Sequence, residues 1–305
     1  MPGIPESALD EDKARSFLER TRWAKDRFCP HCGSVESYSL TPRKEGTKTR
    51  KGLYKCKACR KQFTVTVGTI FEGSHIPLHK WMMAVHLMTS SKKGISAHQL
   101  HRMLGITYKS AWFMAHRIRY SMTQEPMAKK LRGIVEVDET YISGTSKSQP
   151  RYIGNPPRKP IALALVARNG QMRSFRIKAS TSEELKGAIR RNVDKRSRII
   201  TDEWQAYKGI GKEFHGGHQT TNHSKKEYVR GDVYSNSAES YFALLKRGIH
   251  GTFHFITEKH LDRYCAEFAF RWNNKEVTDG ERAVEALRGA EGKRLMYRAL
   301  PGMGA

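Results

Sequence analysis

IVEVDETYISG, residues 134–144, with IALALVARNG, 161–170, and QMRSFRIKA, 171–179, sets the character of this chain. The first stretch reads as a strand. The other two read as strands joined at Asn169-Gly170, a dipeptide that suits the positive-φ turn of a tight hairpin. TSEELKGAIRRNV, 181–193, follows as a helix capped by Thr181 or Ser182, and RSRIITDEW, 196–204, as a strand. After a short helix near Gln205 to Lys208 come one more strand, HQTTNHSKKEYV at 218–229, and a helix, NSAESYFALLKRG at 236–248. The order β-β-β-α-β-α-β-α is that of a mixed five-stranded sheet with helices on its faces. HFITEKHLDRYCAEFAFRWNNK, 254–275, adds a long amphipathic helix, apolar at Leu261, Tyr264, Cys265, Phe268 and Trp272. Between the first two strands lies a Gly/Pro/Lys-rich loop, 143–160.

Three acids fall where such a sheet brings residues together: Asp138 on the first strand, Asp202 ending the fourth, and Glu239 in the last of its helices. Carboxylates so gathered suit phosphoryl transfer with two Mg²⁺ or Mn²⁺ ions, held about 3.5 to 4 Å apart to activate the attacking oxygen and steady the leaving one. Asp138 is expected to bridge both ions, with Asp202 and Glu239 each completing one site. Each acid has a plainer reading. Asp138 could be a surface acid at a strand end, although its flanks are apolar. Asp202 could cap the short helix after it, and Asn236 to Glu239 reads NSAE, which also resembles a capping box. Glu136 and Glu139 flank Asp138 and are expected on the opposite strand face. Lys246 follows Glu239 by seven residues, two helical turns on, where it can hold a DNA phosphate; Arg247, His250 and His254 extend a basic strip.

Upstream, residues 7–24 form a weak amphipathic helix around Ala8, Ala14, Phe17 and Leu18. RFCPHCGS and YKCKACRKQ then carry two CxxC knuckles, Cys29 with Cys32 and Cys56 with Cys59, while the fifth cysteine, Cys265, stands alone. Four thiolates from two tight turns make a closed tetrahedral Zn²⁺ site, which is structural because it keeps no open position. His31, inside the first knuckle, is not counted as a ligand. The basic linker TPRKEGTKTRKG separates the knuckles, and the Val/Thr alternation of 64–69 reads as a strand. From His75 the pattern becomes helical: Pro77 stands in a first turn, Ser96 and Thr107 are N-caps, and Gly105 splits two short helices into a helix-turn-helix candidate. Its second helix presents Thr107, Tyr108, Lys109 and Ser110 at the end where a recognition helix meets DNA, with Arg117 further along. Ala111, Phe113 or Met114, and Ile118 would face the core. An ordinary helical hairpin fits the same spacing.

The balance of charge agrees with a nucleic-acid partner. Fifty-five Lys and Arg against 30 Asp and Glu leave a net charge of +25, suited to a polyanion and to salt-dependent binding. The longest clean apolar run, IALALVA, is far below the roughly 18 residues that span a bilayer, and the N-terminus is acidic where a secretory signal would be basic and then apolar. The expected setting is the bacterial cytoplasm, at the nucleoid when bound to DNA.

The series CPHCGS, GTIFEGSHIPLHKW, LGITYKSAWFMAHRIR, VEVDETYISG, TDEWQAYKGIG, SNSAESYFALLKRGIHGTFHF and AEFAFRWN resembles the zinc-ribbon DDE insertion-sequence transposases of the IS1595 group over nearly the whole chain. The resemblance implies a multidomain protein, with a small zinc ribbon and helix-turn-helix followed by an α/β ribonuclease-H-like catalytic domain. It also implies a divalent metal, recognition of terminal inverted repeats, and self-association as a dimer or higher assembly on double-stranded DNA. The first two acids match Asp138 and Asp202. For the third, the resemblance leaves both Asn236 and Glu239; Glu239 is preferred, since 36 residues lie between it and Asp202 and Lys246 follows, and Asn236 is kept as a cap or neutral metal-shell ligand. The expected division is 1–27 N-terminal helix, 28–72 zinc ribbon, 75–125 helix-turn-helix, 131–275 catalytic domain and 276–305 C-terminal helical tail. The expected function is metal-dependent DNA cleavage and strand transfer. The rivals are a host-adopted DNA-binding protein with an inactive catalytic domain, and a metal-dependent nuclease outside transposition.

Overall fold

The computed structural model describes residues 8–40, 51–123, 129–142, 159–221 and 235–297. The basic linker over 41–50, the loop over 143–158 and the later part of the strand expected at 218–229 lie outside them. The chain divides into two compact units, one of residues 1–91, 95–122 and 277–305, the other of residues 92–94 and 123–276.

In the first unit, α1 (Glu11–Arg22) is capped by Asp10, whose carboxylate accepts from the Lys13 N–H, and it buries Ala14, Phe17 and Leu18. A three-stranded antiparallel sheet follows, β1 (Ser37–Ser39), β2 (Tyr54–Cys56) and β3 (Gln62–Phe63), in the order β1-β2-β3. The strand expected over 64–69 is a correction: pairing ends at Phe63, and the Thr and Val residues beyond it turn, Thr64 Oγ1 lying 2.8 Å from Thr66 Oγ1. Threonine hydroxyls there bond locally and take the chain out of the ladder. Three helices complete this part: α2 (Leu78–Ser90), α3 (Ala97–Leu104) and α4 (Tyr108–Ser121). Ser96 and Thr107 cap α3 and α4 through the Gln99 and Ser110 N–H groups, and Gly105 ends α3 in the left-handed region at φ 57, which a Cβ would disfavour. Ala111, Met114 and Ile118 are buried, so of Phe113 and Met114 it is the methionine that faces inward.

The helical tail expected over 276–305 belongs, from Val277 to Tyr297, to the first unit. Its helix α8 (Asp279–Arg288), closed by a Thr278/Glu281 capping box, packs on α1, α2 and α4 and buries Ala283, Ala286 and Leu287. Arg282 donates to the Thr89 carbonyl at 3.1 Å, and Arg22 forks onto the Glu291 carboxylate at 2.5 and 2.8 Å.

The second unit is built on β4 (Ile134–Tyr141), β5 (Ile161–Ala167), β6 (Met172–Ile177), β7 (Arg198–Thr201) and β8 (His218–Thr220), in the spatial order β6-β5-β4-β7-β8. β4 pairs antiparallel with β5 and parallel with β7, and β7 is parallel to β8. This is the mixed sheet expected, three antiparallel strands and two parallel additions, the ribonuclease-H-like arrangement. IALALVA is buried throughout because both of its faces are covered. Leu163, Leu165 and Ala167 pack with Leu185 and Ile189 of α5 (Ser182–Asn192), which Thr181 caps. Ala162, Ala164 and Val166 pack with Tyr241 and Leu245 of α6 (Asn236–Gly248) and Phe268 of α7 (Leu261–Asn273). Gly248 is needed for the close approach of α6 and α7, since a Cβ there would lie 2.3 Å from Phe268 Cζ and 2.9 Å from the Lys93 carbonyl oxygen.

Candidate active site and zinc centre

The four thiols form one cluster, all ligand atoms within 4.8 Å of one another, and among the described residues they are the only such group of three or more His, Cys, Asp or Glu. Cys29 Sγ is 3.7 Å from Cys59 Sγ, and Cys32 Sγ is 3.7 Å from Cys56 Sγ. Zinc–thiolate bonds of about 2.3 Å at the tetrahedral angle require S···S separations of about 3.8 Å, so the cysteines fit a zinc ion. The Cys59 backbone N–H above all, with Cys32 and Cys59 side chains, draws the Cys56 thiol down to about 7, toward the thiolate a metal needs. His31 turns from the sulfurs, its Nε2 lying 3.3 Å from the Gln62 carbonyl. The knuckles are anchored by Trp23, whose ring meets Tyr54 and Phe63 edge-on at 5.6 and 6.1 Å between centroids.

In the second unit the acids converge where β4 and β7 end. Glu136 is level with Ile200, and continuing this parallel register by two residues sets Asp138 beside Asp202. Burial, and then the charges of Asp202, Glu139 and Glu239, push the Asp138 carboxyl up to about 7. That crowding brings in Glu239 from α6 as well as the two strand acids. Glu139 is also raised, first by burial, and the hydroxyl of fully buried Tyr207 donates to its carboxylate. Partly buried Asp138, Glu139 and Asp202 with exposed Glu239, and no cation among the groups that shift Asp138, form a donor set suited to a hard divalent cation. Asp202 does not cap the helix after it: the 3₁₀ turn Gln205–Tyr207 has no side-chain cap, and Asp202 Oδ1 accepts from the Trp204 N–H at 3.1 Å.

Glu136 was misplaced by the sequence reading. Glu139 does face away from Asp138, but Glu136 is two residues before Asp138 and shares its face. Its fully buried carboxylate accepts from the Ser237 N–H at 2.9 Å, the Ala238 N–H at 3.3 Å and Arg168 Nε at 3.2 Å. It thereby satisfies the first turn of α6, which begins after Ser235 with no side-chain cap. The NSAE capping box is therefore absent, and Asn236 is an exposed first-turn residue rather than a cap. Because Glu136 stands on Asp138's own strand, this bond ties the helix bearing Glu239 to the strand bearing Asp138. Glu136→Ala is expected to destabilise the protein by ~3 kcal/mol or more in urea unfolding, since charged hydrogen bonds contribute about 1.5–3 kcal/mol each. Glu136→Gln, which keeps one acceptor oxygen, should lose less.

Lys246 and Arg247 are exposed on α6, which runs on through a π-helical turn, Ile249–Phe253, to His254 at φ 60. In the first unit Lys109 is exposed, and Tyr108, 44% exposed, stacks on His98 at 4.2 Å. Ser110 is engaged in the Thr107 cap. Arg117 corrects the sequence reading: it is buried, donates to the Glu72 carbonyl and lies over the Trp81 ring at 5.3 Å, and burial lowers its guanidinium to about 10. A side chain so enclosed has no free donor face for DNA.

A mixed five-stranded sheet with acids at the end of its central strands, in a chain that also carries a four-thiolate ribbon, sets the chain among proteins that join a zinc ribbon to a ribonuclease-H-like domain. Residues 130–273 match the ISXO2-like transposase domain and residues 9–62 the transposase zinc-ribbon domain. The chain belongs to the zinc-ribbon DDE transposases of the IS1595 type. It is 24% identical over 282 residues to the uncharacterized protein in transposable element ISH50 of Halobacterium salinarum, across 86% of this chain and 91% of that one. A solved Mos1 transposase paired-end complex with left transposon end is similar at 11% identity over 61% of this chain and 74% of that chain, with a TM-score of 0.21. No described helix is long and apolar enough to cross a membrane.

Proposed function

We propose that this transposase binds the terminal inverted repeats of its element, cuts the DNA there, and joins the freed end to a target duplex. The observation that carries the reading is the crowding of Asp202, Glu139 and Glu239 around Asp138. Asp138, Asp202 and Glu239 would hold two Mg²⁺ or Mn²⁺ ions, which would supply charge stabilisation to the attacking and leaving oxygens. A water oxygen attacks the phosphorus at the element's end, the P–O3′ bond breaks, and the element keeps a 3′-hydroxyl. That hydroxyl attacks a target phosphorus, a target P–O3′ bond breaks, and one ester replaces another without a covalent enzyme intermediate. Lys246, two turns beyond Glu239, holds a backbone phosphate beside the acids, with Arg247 next to it. Tyr108, Lys109 and Ser110, at the start of α4, face the end DNA, with the zinc ribbon as a further contact. More than one copy assembles on the paired ends.

The third ligand is decided by two single substitutions assayed on a duplex carrying the inverted repeat that flanks this reading frame. Glu239→Ala is expected to slow Mg²⁺-dependent cleavage by at least about 100-fold, the scale for removing one group that stabilises transition-state charge. Asn236→Ala is expected to stay within about tenfold. The reverse pattern assigns the ligand to Asn236, and full cleavage by both variants removes α6 from the metal site.

A further inference from the structure

Two of the large apolar side chains left exposed in the second unit closely follow the strand acids along the chain: Trp204 at 49% and Tyr141 at 52% exposure. Trp204 is two residues beyond Asp202, and Tyr141 is three beyond Asp138 on β4, where alternation puts it on the Glu139 side of the strand, so both follow the acids at the same end of the sheet. Both are held by their polar edges and by one residue. Trp204 Nε1 donates to the Ser180 carbonyl at 3.4 Å, and the Tyr141 hydroxyl lies 3.1 Å from Ser180 Oγ. The Trp204 backbone N–H also donates to Asp202 Oδ1 at 3.1 Å, which holds this residue's backbone beside that carboxylate. Rings pinned at the polar edge keep apolar area in water, which is costly unless something covers it.

From this juxtaposition we infer that Trp204, with Tyr141 beside it, is a stacking platform for a base displaced from the duplex next to the phosphate being cut. The inference rests on the proposed cleavage at Asp138. Asp138 is partly buried, so a phosphodiester that reaches it leaves the line of the duplex, and its nucleotide loses a stacking neighbour. An aromatic face replaces that neighbour whatever the base, because every base has a π-face. Lys178, exposed two residues before Ser180, adds a cation for the displaced backbone. Trp204 and Tyr141 are thus positioning residues for the nucleotide.

The test uses the full-length protein with Mg²⁺, the flanking-repeat duplex, and the same duplex made abasic at either nucleotide bordering the scissile phosphate. Trp204→Ala is expected to slow single-turnover cleavage of the intact duplex by about 5- to 150-fold, the range for losing one base–aromatic stack. Trp204→Phe should stay within about threefold, and one of the abasic duplexes should bring Trp204→Ala back to within about threefold of the wild type on that duplex. A misfolded variant would not be rescued in this way. Equal slowing on intact and abasic duplexes, or an altered oligomeric state accompanying it, overturns the inference in favour of a structural or protein–protein role for the ring. So does Trp204→Ala cutting at the wild-type rate while Asp138→Asn does not cut. Absence of cleavage by the wild type removes the cleavage reading itself, and the platform with it.

Discussion

Stripping zinc from the protein is expected to unfold the ribbon while leaving the helices of the same unit folded, and Cys56→Ser should do the same without a chelator. Structural zinc contributes about 10–16 kcal/mol of apparent binding free energy in small zinc domains, far more than the few short strands here could supply. β1, β2 and β3 total eight residues, and the buried apolar side chains that hold them are chiefly Tyr54, Phe63 and Val65 with Trp23 beside them. The helices have their own core in Trp81, Met82, Met88, Leu100 and Met114. The measurement is near-ultraviolet dichroism, which reports Trp23 against Tyr54 and Phe63, together with limited proteolysis and a count of released zinc. Loss of one equivalent of zinc with an unchanged aromatic signal and no new cleavage between Arg27 and Phe63 would show that the metal is not what folds the ribbon.

The zinc site was legible because two CxxC pairs carry their own geometry: each knuckle is a local turn, and four thiols have few other uses. The sheet was legible for a similar reason, since an unbroken apolar run between a hairpin dipeptide and a proline-rich loop has to be a strand covered on both sides. Ser96, Thr107 and Thr181 were readable as caps because capping is settled within three residues. Errors arose where the deciding partner is distant in sequence. Glu136 bonds residues 101 and 102 positions away, so its role in starting α6 left no local mark, although its parity with Asp138 was there to be read. Arg117 looked like a free cation on a DNA-facing helix, but it neighbours Ile118 on the buried side and its acceptor is the Glu72 carbonyl, 45 residues back. Nor does anything in 279–288 announce that α8 returns to pack on α2. The partnership of Glu139 with Tyr207 left no mark, because a Tyr–Glu hydrogen bond across 68 residues has no sequence signature.

Asp138→Asn is expected to abolish DNA cleavage and at the same time to make the magnesium-free protein more stable at pH 8. Burial and three neighbouring carboxylates raise the Asp138 carboxyl from 3.8 to about 7, so ionising it in the folded protein costs free energy that the unfolded chain does not lose. At about 1.36 kcal/mol for each tenfold change in acidity, the rise from 3.8 to about 7 sets an upper bound of about 4 kcal/mol, and solvent reaching this partly exposed group lowers the net value to about 2–3 kcal/mol. The sign follows from the direction: a group whose folded value is raised contributes stability below its unfolded value, near pH 4, and loses it as the pH rises through about 7. The advantage of Asn over Asp should therefore be full at pH 8 and vanish near pH 4. For a unit of this size the gain corresponds to a rise in Tm of about 5–10 °C. Magnesium should reverse the ranking by relieving the same repulsion, raising the wild-type Tm and leaving that of Asp138→Asn nearly unchanged. The comparison is made by calorimetry in buffer freed of magnesium but containing no chelator, so that the zinc ribbon stays loaded. If Asp138→Asn is no more stable than the wild type at pH 8, or if magnesium stabilises both proteins equally, the crowded carboxylates are not the metal site, and the cleavage centre has to be sought elsewhere on the sheet.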